Sequence, residues 1–422
     1  IPRELQLLIL RTVAETWEGK GRWTGEIGGK RQLIRISQVS RSWRELCLDG
    51  QLWANVDLAP MAPYLHPRTY RRITDSARTY AKTLNLRGMD SISALTIMPN
   101  LTRLDLRGCR GLSSAEICKV VTAPGLEAVN LKGVQGVTVD VLAQLAGGRY
   151  LETLDVSRCR SIDLGDMADF LRRSPSELKD LRVAGLSAGG RGGEFARLAK
   201  VERLDMLGCE LEDGDMELPD TITHLVLSSN PALSVDMFKR LELPNLISLE
   251  LADMDFFRET PNPRPLIDFL RSTTRLQKLD LDGTGSHGGV NDRVLEALVR
   301  FCPNLTELHI SHARLVSPDG LIRLIRGCSK LAVLEADNTP ANNAVMREFV
   351  KRRRGRLNLQ DCRAVTAAAY SEVAAGTRPR EGWEGREALP FSYEVGDREG
   401  LVLKTFWSWR RVGVPRAWRE AR

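Results

Sequence analysis

No run of about 20 apolar residues occurs anywhere in this 422-residue chain, which excludes an ordinary membrane-spanning helix. No two of its eight cysteines form a Cys-x-x-Cys pair, and none stands with histidine at zinc-finger spacing. A structural metal or a cofactor is therefore not expected, and the thiols are expected to be reduced, as in an intracellular protein. Charge of one sign is also in short supply. With 61 basic and 54 acidic residues the net charge is +7, too mild to demand nucleic acid as a partner. No secretory leader is visible, and a cytoplasmic or nuclear location is expected. No nucleophile–base pair or carboxylate dyad stands out, so an enzyme is not indicated. What is present is apolar content of 42% and charged content of 27%, the balance of a soluble, folded protein too long for one ordinary core.

That apolar content is periodic. The pattern L-x-x-L-x-L-x-x-C/N gives the triplets Leu101/Leu104/Leu106, Leu126/Val129/Leu131, Leu151/Leu154/Val156, Leu178/Leu181/Val183 and Val201/Leu204/Met206. It continues through Ile222/Leu225/Leu227, Leu246/Leu249/Leu251, Leu276/Leu279/Leu281 and Leu305/Leu308/Ile310, with partial copies at either end. Between these short strands the period turns helical, as in "NDRVLEALVRFC" and "PDGLIRLIRGC", with Asn291 and Ser317 as helix starts. A strand-plus-helix unit cannot bury its apolar face alone, so neighbours must stack. Strands pack about 4.8 Å apart and helices about 10 Å, so the stack is expected to curve, with a parallel sheet inside and helices outside. Cys109, Cys159, Cys209 and Cys362 take the ninth pattern position. Two strand spacings, about 9–10 Å, separate the nearest of them, beyond disulfide reach, so they are expected to be packing residues. Cys302 and Cys328 are expected to close helices.

The repeat closely resembles the cysteine-containing class of leucine-rich repeats over about residues 81–363, a class typical of F-box proteins. The N-terminus fits. Ile1-Pro2-x-Glu4-Leu5 with Ile9-Leu10, then Ile36-x-x-Val39-Ser40-Arg41-x-Trp43, then Leu52-Trp53, resembles an F-box. The resemblance implies an α/β leucine-rich-repeat solenoid carrying a three-helix F-box module over 1–58. Residues 59–80 are then a linker, 81–363 the repeats and 364–422 a C-terminal cap or tail. It implies docking on the adaptor subunit of an SCF-type ubiquitin ligase, and through it on cullin and RING subunits, with adaptor-facing residues Pro2, Leu5, Ile9, Val39, Trp43 and Trp53. Catalysis would belong to those partners. The departure is an insertion, "EGKGRWTGEIGGK", whose five glycines suggest a flexible surface loop. Without the resemblance, the same segment reads as a helical cap shielding the first repeat.

Residues between the leucines point into the concave face. Opposed charges there, Arg87, Arg107 and Lys132 among aspartates, are expected to neutralise one another across strands in the first half. The second half is net acidic, and Glu250, Asp253, Asp280, Asp282, His309, Glu335 and Asp337 are candidates to receive a basic segment of a protein substrate. The competing reading is that these acids are ordinary solvated repeat residues. Two other readings stay open: a scaffold unconnected to a ligase, and an RNA-associated protein using Arg87, Arg107, Lys132 and the basic tail. Gly283-x-Gly285-x-x-Gly288 matches a dinucleotide fingerprint but lacks the doubly wound crevice it needs, so no nucleotide is expected.

Overall fold

The computed structural model describes residues 2–19, 23–89, 97–175, 177–254, 256, 262–284, 289–352 and 355–369, with the backbone of 402–405. It forms two compact units, residues 1–205 and 206–422. None of the helices among these residues is long and apolar enough to cross a membrane.

The first unit opens with three helices, α1 (Arg3–Glu15), α2 (Gly25–Ile36) and α3 (Arg41–Cys47), packed on one another. Pro2 precedes the first helical turn, where a missing N–H is tolerated. The Ser40 side chain accepts the Trp43 N–H to start α3. Seven parallel strands follow: β1 (Asn55–Asp57), β2 (Thr83–Asn85), β3 (Arg103–Asp105), β4 (Ala128–Asn130), β5 (Thr153–Asp155), β6 (Asp180–Arg182) and β7 (Arg203–Asp205). Helix α4 (Pro67–Ala77) joins β1 to β2, and α5 (Ser114–Val121), α6 (Val139–Leu145), α7 (Leu164–Arg173) and α8 (Gly192–Leu198) join later strands.

The second unit repeats the scheme in β8 (His224–Val226), β9 (Ser248–Glu250), β10 (Lys278–Asp280), β11 (Glu307–His309), β12 (Val333–Glu335), β13 (Arg356–Leu359) and β14 (Val402–Thr405). Its helices are α9 (Arg264–Leu270), α10 (Asp292–Phe301), α11 (Pro318–Gly327) and α12 (Asn343–Val350). Asn291 and Ser317 cap α10 and α11 through side-chain oxygens, and Cys302 and Cys328 close the same helices, as the sequence predicts. The leucines of every triplet are buried. The fold is thus a leucine-rich-repeat α/β solenoid preceded by a helical module.

Three features differ from expectation. Residues 25–30 of the glycine-rich insertion form the start of helix α2, with Gly28 and Gly29 buried. A Cβ at Gly29 would overlap the Ala14 backbone of α1, and one at Gly28 would overlap the Trp23 carbonyl. Those glycines are close-approach positions. The linker is folded too, for it holds α4, which buries Tyr70, Ile73 and Ala77 and packs against the turn Gly50–Trp53. Of the segment after residue 363, Val402–Thr405 adds a parallel strand to β13, and most of the remainder lies outside the described residues, as do Gly285 and Gly288.

The ninth-position cysteines have a defined task. Cys109 Sγ lies 3.0 Å from the Leu86 carbonyl, Cys159 Sγ 3.2 Å from that of Leu131 and Cys362 Sγ 3.2 Å from that of Ala336. Each thiol donates to the residue that ends an earlier strand. Burial pushes the Cys159 thiol up to about 12, so it stays protonated and able to donate. Asn230 holds the ninth position of its own repeat and does the same, giving Nδ2–H to the Met206 carbonyl at 2.9 Å.

Candidate functional site

Two surfaces carry the chemistry. On the helical module, α1 turns Leu7, Leu10 and Ala14 inward and leaves Leu5, Leu8 and Ile9 outside, at 50%, 56% and 56% exposure. Val39, just before α3, is 72% exposed, and Trp43 in its first turn is 45% exposed. Pro2 is exposed as well. Five large apolar side chains in solvent on two packed helices and the turn before the second are more than scattered exposure explains. Leu8 belongs with the candidates and was missed because the motif comparison carried over only Leu5 and Ile9.

Trp53 does not belong with them. It is fully buried, its Nε1–H donates to the Cys47 carbonyl at 2.9 Å, and the Lys30 ammonium lies 5.1 Å from its ring centre. A tryptophan that holds α2 and the end of α3 together cannot also face an adaptor. Lys30, itself buried, further donates to the Leu52 carbonyl.

The second surface is the strand face of the second unit. Backbone register sets Glu250, Asp280, His309, Glu335 and Asn358 side by side on β9–β13. Their leucine neighbours take the core, so this row must point the other way. His309 sits among acids: Nδ1 is 3.7 Å from Asp280 Oδ2 and 3.8 Å from Glu335 Oε2, and Nε2 is 2.8 Å from Glu307 Oε1. Lys278 bridges Glu250 at 2.8 Å and Glu307 at 3.8 Å. Burial draws the His309 pKa down, but Glu307, Glu335 and Asp280 outweigh it and the imidazole is raised above its ordinary value. Burial raises Asp280, and Asp282 is pushed up to about 6.

Register also sorts the other candidates. Asp282 and Asp337 lie past the strand ends, where each accepts a backbone N–H from the next repeat, of Ser311 and Gln360, both at 2.6 Å. Asp253 does not share the strand face. It occupies the turn at φ +56°, in the column filled by Gly88 and Gly108 at +71° and +65°. Asp is among the few non-glycine residues that accept such a conformation. Lys278, unmarked in the sequence analysis, projects from the other polar column of the strand. In the first unit, charge is neutralised both along strands and across them: Arg107 grips Asp105 at 2.6 Å and Arg182 grips Asp180 at 2.8 Å, each two residues apart, while Lys179 meets Glu152 of the preceding repeat at 2.8 Å. A shallow groove of about 260 Å³ runs past Thr83, Asn85, Asp105 and Asn130.

Comparison with known proteins agrees with this architecture. Residues 1–59 match the F-box-like family and residues 301–324 match the Leucine Rich repeat family. No curated protein matches the chain. Among solved structures, the Rad7 and Elc1 complex of yeast is similar at 16% identity and a TM-score of 0.58, covering 87% of this chain and 90% of that one. An internalin of Listeria monocytogenes, InlF, is similar at 15% identity and a TM-score of 0.45, covering 77% of this chain and 85% of that one. The chain thus carries an F-box-like domain at its N-terminus and a leucine-rich repeat within its stacked strand–helix units.

Proposed function

We propose that this chain is the substrate-recognition subunit of an SCF-type ubiquitin ligase: the N-terminal module docks on the adaptor, and through it on cullin and RING subunits, while the repeats select the target protein. The observation that carries the reading is the exposed apolar set Leu5, Leu8, Ile9, Val39 and Trp43 on an F-box-like module. A helical cap serving only to shield the first repeat has no need to keep those side chains in water. Aromatic residues of this kind dominate binding energy at protein interfaces. The yeast protein Rad7, which shares this fold at 16% identity, was solved as a complex with Elc1, which accords with a partner on this module.

On the target side, the row Glu250, Asp280 and Glu335, partly offset by Lys278 and His309, suits a basic segment. Opposite charge at such a face steers encounter and sets register. The chain contributes proximity and choice, and the chemistry of ubiquitin transfer rests with its partners.

The adaptor experiment is a co-purification of the full chain with the adaptor subunit. Retention by the intact protein, lost on Trp43→Ala and on Ile9→Asp, is the expected result. A chain that never retains the adaptor is a scaffold outside the ligase. Charge reversal, Asp280→Lys with Glu335→Lys, is expected to weaken capture of a basic target while leaving adaptor retention unchanged.

A further inference from the structure

The imidazole of His309 is oriented in a way that basic-segment recognition does not require. Its Nε2 side faces Glu307, which favours a proton on that nitrogen, and its Nδ1 faces the carboxylates of the two adjacent strands. Nδ1 lies 3.7 Å from Asp280 Oδ2 and 3.8 Å from Glu335 Oε2, beyond hydrogen-bonding range of both. Ligand atoms of Asp280, Asp282 and His309 fall within 4.8 Å of one another. Asp280 and Asp282 each accept a backbone N–H on Oδ1, of Asp282 and Ser311, which steadies both carboxylates.

A second observation is independent of that cluster. Asn358, in register beside Glu335 and only 3% exposed, has an Oδ1 with no hydrogen-bond partner. Leu357 and Leu359 occupy the core side of β13, so this buried acceptor is turned toward the same face as Glu335. A buried acceptor without a donor is costly, and here it stands in register beside Glu335. Such a pair calls for a cation that carries donors of its own.

We propose that His309 Nδ1, Asp280, Asp282 and Glu335 bind one divalent transition-metal ion, of which zinc is the representative, on the face that the buried Asn358 Oδ1 also lines. One imidazole with several carboxylates is a mixed nitrogen–oxygen set, which suits zinc better than magnesium or calcium. Bonds of 2.0–2.1 Å in a tetrahedron place ligand atoms about 3.3 Å apart, so the two Nδ1 separations of 3.7 and 3.8 Å need to close by a few tenths of an ångström and the others, which reach up to 4.8 Å, by as much as about 1.5 Å. Glu307 stands behind the imidazole as the carboxylate that orients a metal-bound histidine. Linear spacing conceals this site. Asp280, His309 and Glu335 are 29 and 26 residues apart, and only the repeat register brings them side by side.

The test uses the full chain, stripped with chelator and titrated calorimetrically with zinc chloride at pH 7.5. One equivalent per chain is expected, weakened at least about tenfold by His309→Gln and by Asp280→Asn, and unchanged by Glu296→Gln on exposed α10. Cobalt(II) replacing zinc in the unaltered chain is expected to give the intense visible absorption of a four-coordinate ion. That arm does not require the variants to fold. Zinc is further expected to compete with a lysine-rich peptide for this row. No saturable zinc binding, binding unaffected by both substitutions, or a cobalt spectrum like that of the hexaaquo ion would each overturn the site. Peptide binding without zinc binding would assign the row to cationic side chains alone. The adaptor reading is untouched by any of these results.

Discussion

Two tryptophans ten residues apart in the helical module should respond to alanine in opposite ways. Trp53 is 0% exposed, donates Nε1–H to Cys47 and lies under Lys30. Truncation leaves a large cavity, an unpaired buried carbonyl and a buried ammonium without its ring, so Trp53→Ala should cost about 3–5 kcal/mol, the usual range for a core aromatic. Trp43, nearly half in solvent, loses little packing in the isolated chain, and Trp43→Ala should cost about 1 kcal/mol or less. In a complex the order reverses. A central aromatic at an interface is worth about 2 kcal/mol or more, or about 30-fold in affinity, so Trp43→Ala should abolish adaptor capture by a chain that remains folded. Limited proteolysis of the module, thermal unfolding and adaptor co-purification separate the two effects. A Trp43→Ala protein that is cleaved like Trp53→Ala, or a Trp53→Ala protein as stable as the parent, would refute the assignment of faces.

Gly29→Ala should loosen the module by roughly 1–3 kcal/mol, because its Cβ would enter the Ala14 backbone and push α1 from α2; urea unfolding of the N-terminal unit reads this. With a thiol reagent at pH 8, Cys118, the one cysteine only partly buried, should react first, and the other seven only after denaturation, because burial pushes Cys302 to about 12 and Cys47 and Cys328 to about 11. Asn230→Leu should destabilise the second unit by about 3 kcal/mol or more. It strands the Cys209 and Leu211 N–H groups and the Met206 carbonyl at once, and hydrogen exchange at those amides should report the loss.

The repeat was legible because it is written twice, once as leucines every second residue and once as helical stripes between them. Local chemistry was enough for Asn291, Ser317, Cys302 and Cys328, since caps depend on side chains within a turn of the helix end. What could not be read depends on contacts distant in sequence. Glycine's low helix propensity argued for a loop at residues 25–30, and close approach to α1 and to the Trp23 carbonyl overrode it. Trp43 and Trp53 match the same motif, but motif order carries no information about which face each side chain takes. Lys278 went unnoticed because the face has two polar columns per strand and only one was followed.

The ninth position shows what such a repeat conserves physically when its letters change. Cysteine and asparagine share neither charge nor shape, yet Cys109, Cys159, Cys362 and Asn230 all give a hydrogen bond to the carbonyl that ends an earlier strand. Parallel strands only three residues long satisfy few backbone groups, so the carbonyl just past each strand end needs a donor from outside the ladder. A small residue bearing one donor meets that need. The thiol does so as a weak donor in an apolar pocket, and the amide as a strong one that must also have its oxygen satisfied, which the Cys209 and Leu211 N–H groups accomplish. Exchanging them tests the fit: Cys159→Asn forces a larger amide into the pocket that seats the thiol beside the Leu131 carbonyl, and Asn230→Cys takes the shared acceptor from two amides. Both should destabilise their units by about 1–3 kcal/mol, whereas Cys159→Ser, which keeps a donor and little else, should cost less than either.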